Sequence, residues 1–335
     1  MEIELGYGRK VRRAYGFDEI ALVPSLATIE TDDVDVETSI GSLQLNIPII
    51  ASAMDSVIDT NTAAMMSQFG GLGVLNLQGV QTRYEDADKI LDDIALASKE
   101  EYVTLMQKIY EKPVKKELIK KRITEIKNKN GIAAVAVTPQ SAEEYGKLAI
   151  LAGADVIVIQ ATVISTRHKS KASKPLGLAK FCSSTKVPVI VGNCVTYDVA
   201  LELMETGIAG ILVGIGPGSA CTSRGVLGVG VPMATTIADC AAARDAYFKK
   251  TGRYVSVIGD GGMAVGGDIC KAIACGADAV MIGSPLTKAK EAPGRGFHWG
   301  MATPNALLPR GTRIKVGTIG TLKEILLGPA KYDDG

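Results

Sequence analysis

The sequence predicts an α/β fold of the (β/α)8 TIM-barrel type, and three observations predict it. Eight short apolar runs recur, at 47–53, 72–76, 132–137, 155–160, 187–192, 207–213, 254–259 and 278–283. Segments of helical spacing separate them, and several end alike, as in Ala152-Gly153-Ala154-Asp155 and Cys275-Gly276-Ala277-Asp278. The runs are apolar throughout rather than alternating, which is the pattern of parallel strands covered on both faces. Eight such units within 335 residues fit a closed barrel better than an open sheet. One domain is therefore expected over 1–335.

Taken in order, the chain opens with an N-terminal arm in which Tyr15-Gly16-Phe17-Asp18-Glu19-Ile20-Ala21-Leu22-Val23-Pro24 is too apolar for a loose tail. It is expected to pack against the body. The first run follows, then a helix over 60–69 that Gly70-Gly71 ends, because a helix commonly stops at a residue in the left-handed region. The longest interruption, 78–131, separates the second and third runs. Its basic stretch at about 100–130 carries Lys115-Lys116 and Lys120-Lys121-Arg122 between Leu118, Ile119, Ile123 and Ile126. Apolar residues at that spacing indicate a solvated amphipathic helix rather than a nucleic-acid patch.

Composition narrows the function. A net charge of +1 offers no field for nucleic acid or an anionic membrane, and no apolar run reaches spanning length. The six cysteines form no Cys-x-x-Cys pair and the two histidines lie at 168 and 298, so a zinc site is not expected. Free thiols without an apolar leader suit a cytoplasmic protein.

In a (β/α)8 barrel the chemistry sits on the loops that follow the strands. Those loops carry Ser52-Ala53-Met54-Asp55, Gln160-Ala161-Thr162, Asn193, the glycine-dense 214–224, Asp260-Gly261-Gly262 and Gly283-Ser284. Glycine turns after the seventh and eighth strands suit a phosphate, since backbone N–H groups can approach its oxygens. Asp260, an acceptor when ionised, suits a ribose diol, with a helix N-cap as the plain alternative. Cys221 lies at the rim of the 214–224 loop, where a thiolate could act as nucleophile; a tight turn around a small buried Cys is the bland alternative. Phosphate, ribose and thiol in one mouth describe a nucleotide modified covalently on its base.

These pieces resemble the IMP dehydrogenase/GMP reductase family over nearly the whole chain. The matching stretches are 17–24, Ser52-Ala53-Met54-Asp55-Ser56-Val57, Gly214-Ile215-Gly216-Pro217-Gly218-Ser219-Ala220-Cys221-Thr222-Ser223-Arg224, Gly228-Val229-Gly230-Val231-Pro232, Asp260-Gly261-Gly262 and Gly300-Met301. The resemblance implies a short branch lacking the regulatory CBS pair, whose place the basic helix takes. It implies that Cys221 attacks C2 of a purine nucleoside 5′-monophosphate and that a nicotinamide cofactor, NADPH or NAD, exchanges hydride there. Ser52, Met54, Asn193, Ser219, Asp260, Gly261, Gly262, Gly283 and Ser284 would hold the nucleotide, and His298, Trp299, Gly300 and Met301 would lie near the base. Gln160, Ala161, Thr162, Gly214, Ile215 and Gly216 would face the cofactor. Carbonyls of Gly216, Gly218 and Cys221 match positions that hold potassium in family dehydrogenases. A homotetramer or octamer would be the assembly.

Both family activities pass through the same thioether. Dehydrogenases hydrolyse it with an Arg-Tyr pair on a flap after the eighth strand; here Arg83-Tyr84 and Arg253-Tyr254 lie elsewhere, and the flap looks deleted. That favours GMP reductase, with Ser223 at the hydroxyl position of the proton-donating Thr-Glu pair. The Glu position falls on Arg310, so Glu291 or His298 is the expected substitute acid, while packing is the plain alternative for His298-Trp299. Arg310 is read as a phosphate ligand. IMP dehydrogenase, and a catalytically weak nucleotide-binding relative, are the alternatives.

Overall fold

Residues 2–171, 174–300 and 313–329 are described in a computed structural model. All eight apolar runs form strands: β1 (Ile49–Ala51), β2 (Leu72–Asn76), β3 (Ala134–Val137), β4 (Val156–Gln160), β5 (Val189–Cys194), β6 (Gly210–Val213), β7 (Ser256–Asp260) and β8 (Ala279–Ile282). They close a parallel barrel in sequence order, β8 pairing β1 through Met281 and Ile50. Alternate side chains divide between two cores, as the pleat requires. Val156 and Val158 of β4, Ile258 of β7 and Met281 of β8 fill the barrel, whereas Ile157, Ile159, Val257 and Val280 meet the surrounding helices.

One end of the barrel is plugged. The antiparallel pair Thr38–Ile40 and Leu43–Leu45 drives Ile40 and Leu45 into the interior cluster, and Ser256 Oγ at the start of β7 donates to Ser39 O at 2.8 Å. The opposite, C-terminal end bears the loops that follow the strands.

The helix after β1, α1 (Thr60–Gln68), starts on Asp59, whose Oδ1 accepts from Asn61 N and Thr62 N, and it ends before Gly70 at φ +86°. Between β2 and β3 lie α2 (Ala87–Leu96), α3 (Tyr102–Glu111) and α4 (Lys116–Asn128). The basic helix, α4, buries Leu118, Ile119, Ile123 and Ile126 and leaves its lysines in solvent, as its spacing predicts.

The N-terminal arm corrects the expectation in part. Phe17 is buried in the main core, Tyr15 N donates to Thr235 Oγ1, and Lys271 Nζ donates to Phe17 O. Beyond it Leu22, Val23, Leu26, Ile29, Val34 and Val36 are exposed. Ile20 packs against the same core, so the arm is anchored through 15–20 and exposed beyond.

Candidate active site

The inward alternation that fills the barrel with aliphatic side chains ends, at the mouth, in a polar layer. Gln160 stands two residues beyond Val158 and Asp260 two beyond Ile258, so both point inward from the last positions of β4 and β7. Asn193 joins them by a different device. The β5–β6 register runs Leu212 to Gly192 and then Val213 to Cys194, skipping Asn193 in a bulge that re-aims its side chain. Gly192 is required there, because a Cβ would lie 2.4 Å from Leu212 Cβ. Asn193 Nδ2 and Gln160 Nε2 both donate to Asp260 Oδ2, at 2.7 and 3.0 Å, and Gln160 Nε2 also reaches Asn193 Oδ1 at 3.2 Å.

Asp260 is thus no helix cap; the following helix, α10 (Gly266–Ala274), takes Asp268 for that work, with Asp268 Oδ2 accepting from Ala264 N. Both amides converge on Oδ2, so among the described residues Asp260 Oδ1 is left without a partner. Burial pushes the carboxyl up to about 6 against these two hydrogen bonds, which lower it. At neutral pH the group is an ionised acceptor facing the mouth. Gln160, expected on the cofactor side, gives its amide N–H groups to this carboxylate and to Asn193 Oδ1.

The cysteine loop lies against that layer. Gly214 runs at φ +139°, and a Cβ there would sit 2.6 Å from Asp260 O. Gly261 and Gly262, both at φ +78°, lie under Pro217, and a Cβ on Gly262 would be 2.9 Å from Pro217 Cβ. Glycine is what lets the loops after β6 and β7 touch. Gly261 N–H is used by the barrel itself, donating to Met281 O, and is no phosphate donor. The Cys221 N–H closes a turn onto Gly218 O at 3.0 Å, and its Sγ is 3.3 Å from Ser223 Oγ. Ser223 opens the short α8 (Ser223–Leu227) and is buried, whereas Cys221 is half-buried and Ser219 exposed. Arg224 pins the loop from beneath, Nε to Ile215 O at 2.9 Å and a terminal nitrogen to Val231 O at 2.7 Å.

On the other side of the mouth, Ser52 N continues the barrel by donating to Ile282 O, and Met54 and Gly283 approach each other. Ser284 is the first residue of the four-residue α11 (Ser284–Thr287). The strand β9 (Phe297–His298) pairs with β10 (Ile314–Lys315) and lays His298 over Gly283, where a Cβ would be only 3.2 Å from the imidazole Cε1. His298 is 4% exposed, its Nδ1 lies 3.0 Å from Ser56 Oγ, and its Nε2 has no partner among the described residues. Burial alone pulls it down to about 4. It is a neutral imidazole at pH 7.

Two expected roles do not hold. Glu291 does not face the mouth: its Oε2 accepts from Leu322 N at 2.8 Å, holding the first turn of α12 (Leu322–Leu327). Trp299 does not face it either. The residue is wholly buried on the outer side, its Nε1 donating to Tyr110 Oη at 3.3 Å, and Tyr110 O–H donates to Asp55 Oδ2 at 2.6 Å. A strand's alternation sends neighbours to opposite faces, so His298 and Trp299 cannot both reach a base. Gly300 is buried beside them; Met301 and Arg310 lie outside the described residues. Arg83 is committed to Gln78 O and Lys112 O and lies over the Tyr110 ring. Ala161 and Thr162 are half-buried, Ala161 exchanging backbone hydrogen bonds with Gly192 and Asn193 above β4. The Ser56–His298 contact and the Asn76 amide, which donates to Ala53 O at 3.3 Å, were missed in the sequence. Asn76 follows Val74 by the same inward alternation as Gln160, and that signal was available.

A family model described as IMP dehydrogenase / GMP reductase domain matches residues 14–303. The chain belongs to that family. An uncharacterised oxidoreductase of Mycolicibacterium smegmatis is 40% identical over 337 residues, covering 98% of this chain and 90% of that protein. An inosine-5′-monophosphate dehydrogenase of Cryptosporidium parvum is 33% identical over 300 residues, 85% of this chain and 71% of the relative. A crystal structure described as an IMP dehydrogenase/GMP reductase-like protein from Corynebacterium glutamicum superposes with a TM-score of 0.92 at 38% identity, covering 100% of this chain and 89% of that one. The (β/α)8 barrel and its C-terminal mouth are therefore those of an oxidoreductase family, and no described helix is long and apolar enough to cross a membrane.

Proposed function

We propose that this chain oxidises a purine nucleoside 5′-monophosphate at C2, as an IMP dehydrogenase. His298 carries the choice. Expelling ammonia from GMP needs an acid that gives up its proton near neutral pH. Neither expected acid serves: Glu291 is spent on α12, and the imidazole, drawn down to about 4, carries no proton to lose from a cationic form; Asp260, the one carboxyl raised to about 6, is held by Asn193 and Gln160 for the ribose. A neutral imidazole is a base. With Nδ1–H donating to Ser56 Oγ, Nε2 presents its lone pair over Gly283, where a water bound for the purine can lose its proton.

On this reading Asp260 Oδ1 accepts the ribose hydroxyls, and the segments at Ser219, Gly262 and Gly283-Ser284 face the 5′-phosphate. Cys221 Sγ adds to C2 and Ser223 O–H steadies the thiolate it leaves and re-forms. The C2 hydrogen departs with its electron pair; water then adds at C2, His298 takes a proton, and the carbon–sulfur bond breaks. IMP, NAD+ and water give XMP, NADH and a proton.

The nicotinamide fits the other half of the mouth. Gln160 Oε1 has no partner among the described residues, and a Cβ on Gly218 would meet no atom within 4 Å, which leaves a polar, open shelf beside Cys221. Gln160, Ala161, Thr162 and 214–216 would hold it, and bound there it supplies the hydride acceptor. Potassium fits less well, since Gly218 O already accepts from Cys221 N–H. No step here uses that ion.

A second reading, GMP reductase with NADPH, is favoured by the Ser223 hydroxyl 3.3 Å from Cys221 Sγ. Reduced-nicotinamide absorbance separates the two. A rise with IMP and NAD+, and no change with GMP and NADPH, is expected; a fall in the second mixture alone overturns the proposal.

A further inference from the structure

The loop after β8 that carries His298 is held from outside the barrel by the helices inserted between β2 and β3. Three attachments do this. Trp299 donates to Tyr110 at the end of α3, and Tyr110 to Asp55, whose Oδ2 also accepts from Val80 N at 2.8 Å. Arg313, next to β10, spans the Tyr102 and Phe297 rings at 4.8 and 4.6 Å and donates to Ala97 O at 2.8 Å, at the C-terminal end of α2 where carbonyls favour a cation. Arg295, just before β9, pairs with Asp92 and Asp88 of α2. Trp299, Tyr110, Val80 and Leu91 form a buried cluster separate from both barrel cores.

We infer that Tyr110 is a positioning residue, which acts through Trp299 to hold the His298 imidazole over Gly283. The inference rests on His298 working in the mouth as proposed above. Its physical content is simple. β9 is two residues long and, among the described residues, pairs only with β10, so its own ladder cannot fix an imidazole to within a fraction of an ångström. Among the described residues the His298 side chain is held by one hydrogen bond, to Ser56. The Trp299 side supplies the rest: a large ring with no exposure, a hydrogen bond, and a phenol anchored on a buried carboxylate. Arg83 lies over the ring of that phenol, 5.9 Å from its centre. Asp55, Tyr110 and Arg83 stand behind Trp299, and burial alone sets the His298 protonation, so the brace acts by place rather than by charge.

The chain provides its own probes, having one tryptophan and two histidines. Tyr110→Phe removes only the hydroxyl and keeps the ring in the cluster. Expected are a red shift of Trp299 emission, displaced His298 ring-proton signals with His168 unmoved, and a fall in kcat of about tenfold with KM for IMP unchanged. Arg313→Met, which leaves Tyr110 intact, should displace the same His298 signals. Wild-type emission and wild-type His298 signals in Tyr110→Phe overturn the brace. Displaced signals with unchanged kcat overturn it too, since Tyr110 would then be packing alone. If the wild-type enzyme turns over no IMP, it is the function that fails, while the emission and the His298 signals still decide the brace.

Discussion

Cys221 and Asp260 divide the work at the mouth, and their substitution should separate chemistry from binding. Cys221→Ala removes the only sulfur on the 214–224 loop, so no thioether forms and turnover should fall by at least a thousandfold, on the order expected when a nucleophile is removed. Nucleotide binding, followed by calorimetry, should survive. Asp260→Asn keeps the volume and the contacts of Oδ2 but turns an ionised acceptor into an amide. The KM for IMP should rise by about ten- to a hundredfold, the cost of one or two charge-assisted hydrogen bonds. An unchanged KM would remove Asp260 from the ribose site. These residues were legible from sequence because each sits at a fixed count from an apolar run, and barrel geometry turns that count into a place. Ser56 and His298 are 242 positions apart, and Tyr110 and Trp299 are 189 apart. No periodicity reports such pairings, since they arise only when the loops after β1, β2 and β8 meet around one end of the barrel.

At the scale of the element, glycine and capping set what the mouth tolerates. Gly192→Ala would drive a Cβ against Leu212 Cβ and its carbonyl oxygen, at 2.4 and 2.7 Å. The β5–β6 ladder must then part, at a cost of about 1–3 kcal/mol, and the bulge that aims Asn193 at Asp260 moves with it. Urea unfolding should show the loss of stability, and the KM for IMP should rise along with it. Stability lowered at constant KM would mean that the bulge does not aim Asn193. Glu291→Gln tests the opposite case. Its carboxylate serves the first N–H of α12, so the amide should weaken that helix by about 0.5–1 kcal/mol and leave kcat within twofold. A hundredfold loss of kcat would return Glu291 to the role its sequence position suggested. That position was misleading for a definite reason: a residue on the loop after β8 can face inward to the ligand or outward to the next helix, and sequence does not say which. The eight strands, by contrast, were readable because burial on both faces leaves an uninterrupted apolar run.

For the molecule as a whole, the two buried titrating groups of the mouth pull stability in opposite directions on the acid side. His298 is depressed from an ordinary 6.5 to about 4. Between those values the unfolded chain takes up a proton that the folded one refuses, so stability is full above 6.5 and drains away as pH falls toward 4. Asp260 is raised from 3.8 to about 6. Over that interval the folded chain holds a proton that the unfolded one has released, so stability grows as pH falls and the gain is complete below 3.8. From pH 7 to 5 linkage gives about 2 kcal/mol lost through His298 and about 1 kcal/mol gained through Asp260. The wild-type protein therefore shows only the difference, a net loss of about 1 kcal/mol. Unfolding free energies from urea at pH 7 and pH 5 should expose both: His298→Asn should lose less stability than wild type over the interval, and Asp260→Asn should lose more. Identical pH dependence in all three proteins would mean that neither group is held out of water in the folded state, and the argument that His298 cannot serve as the reductase's acid would go with it.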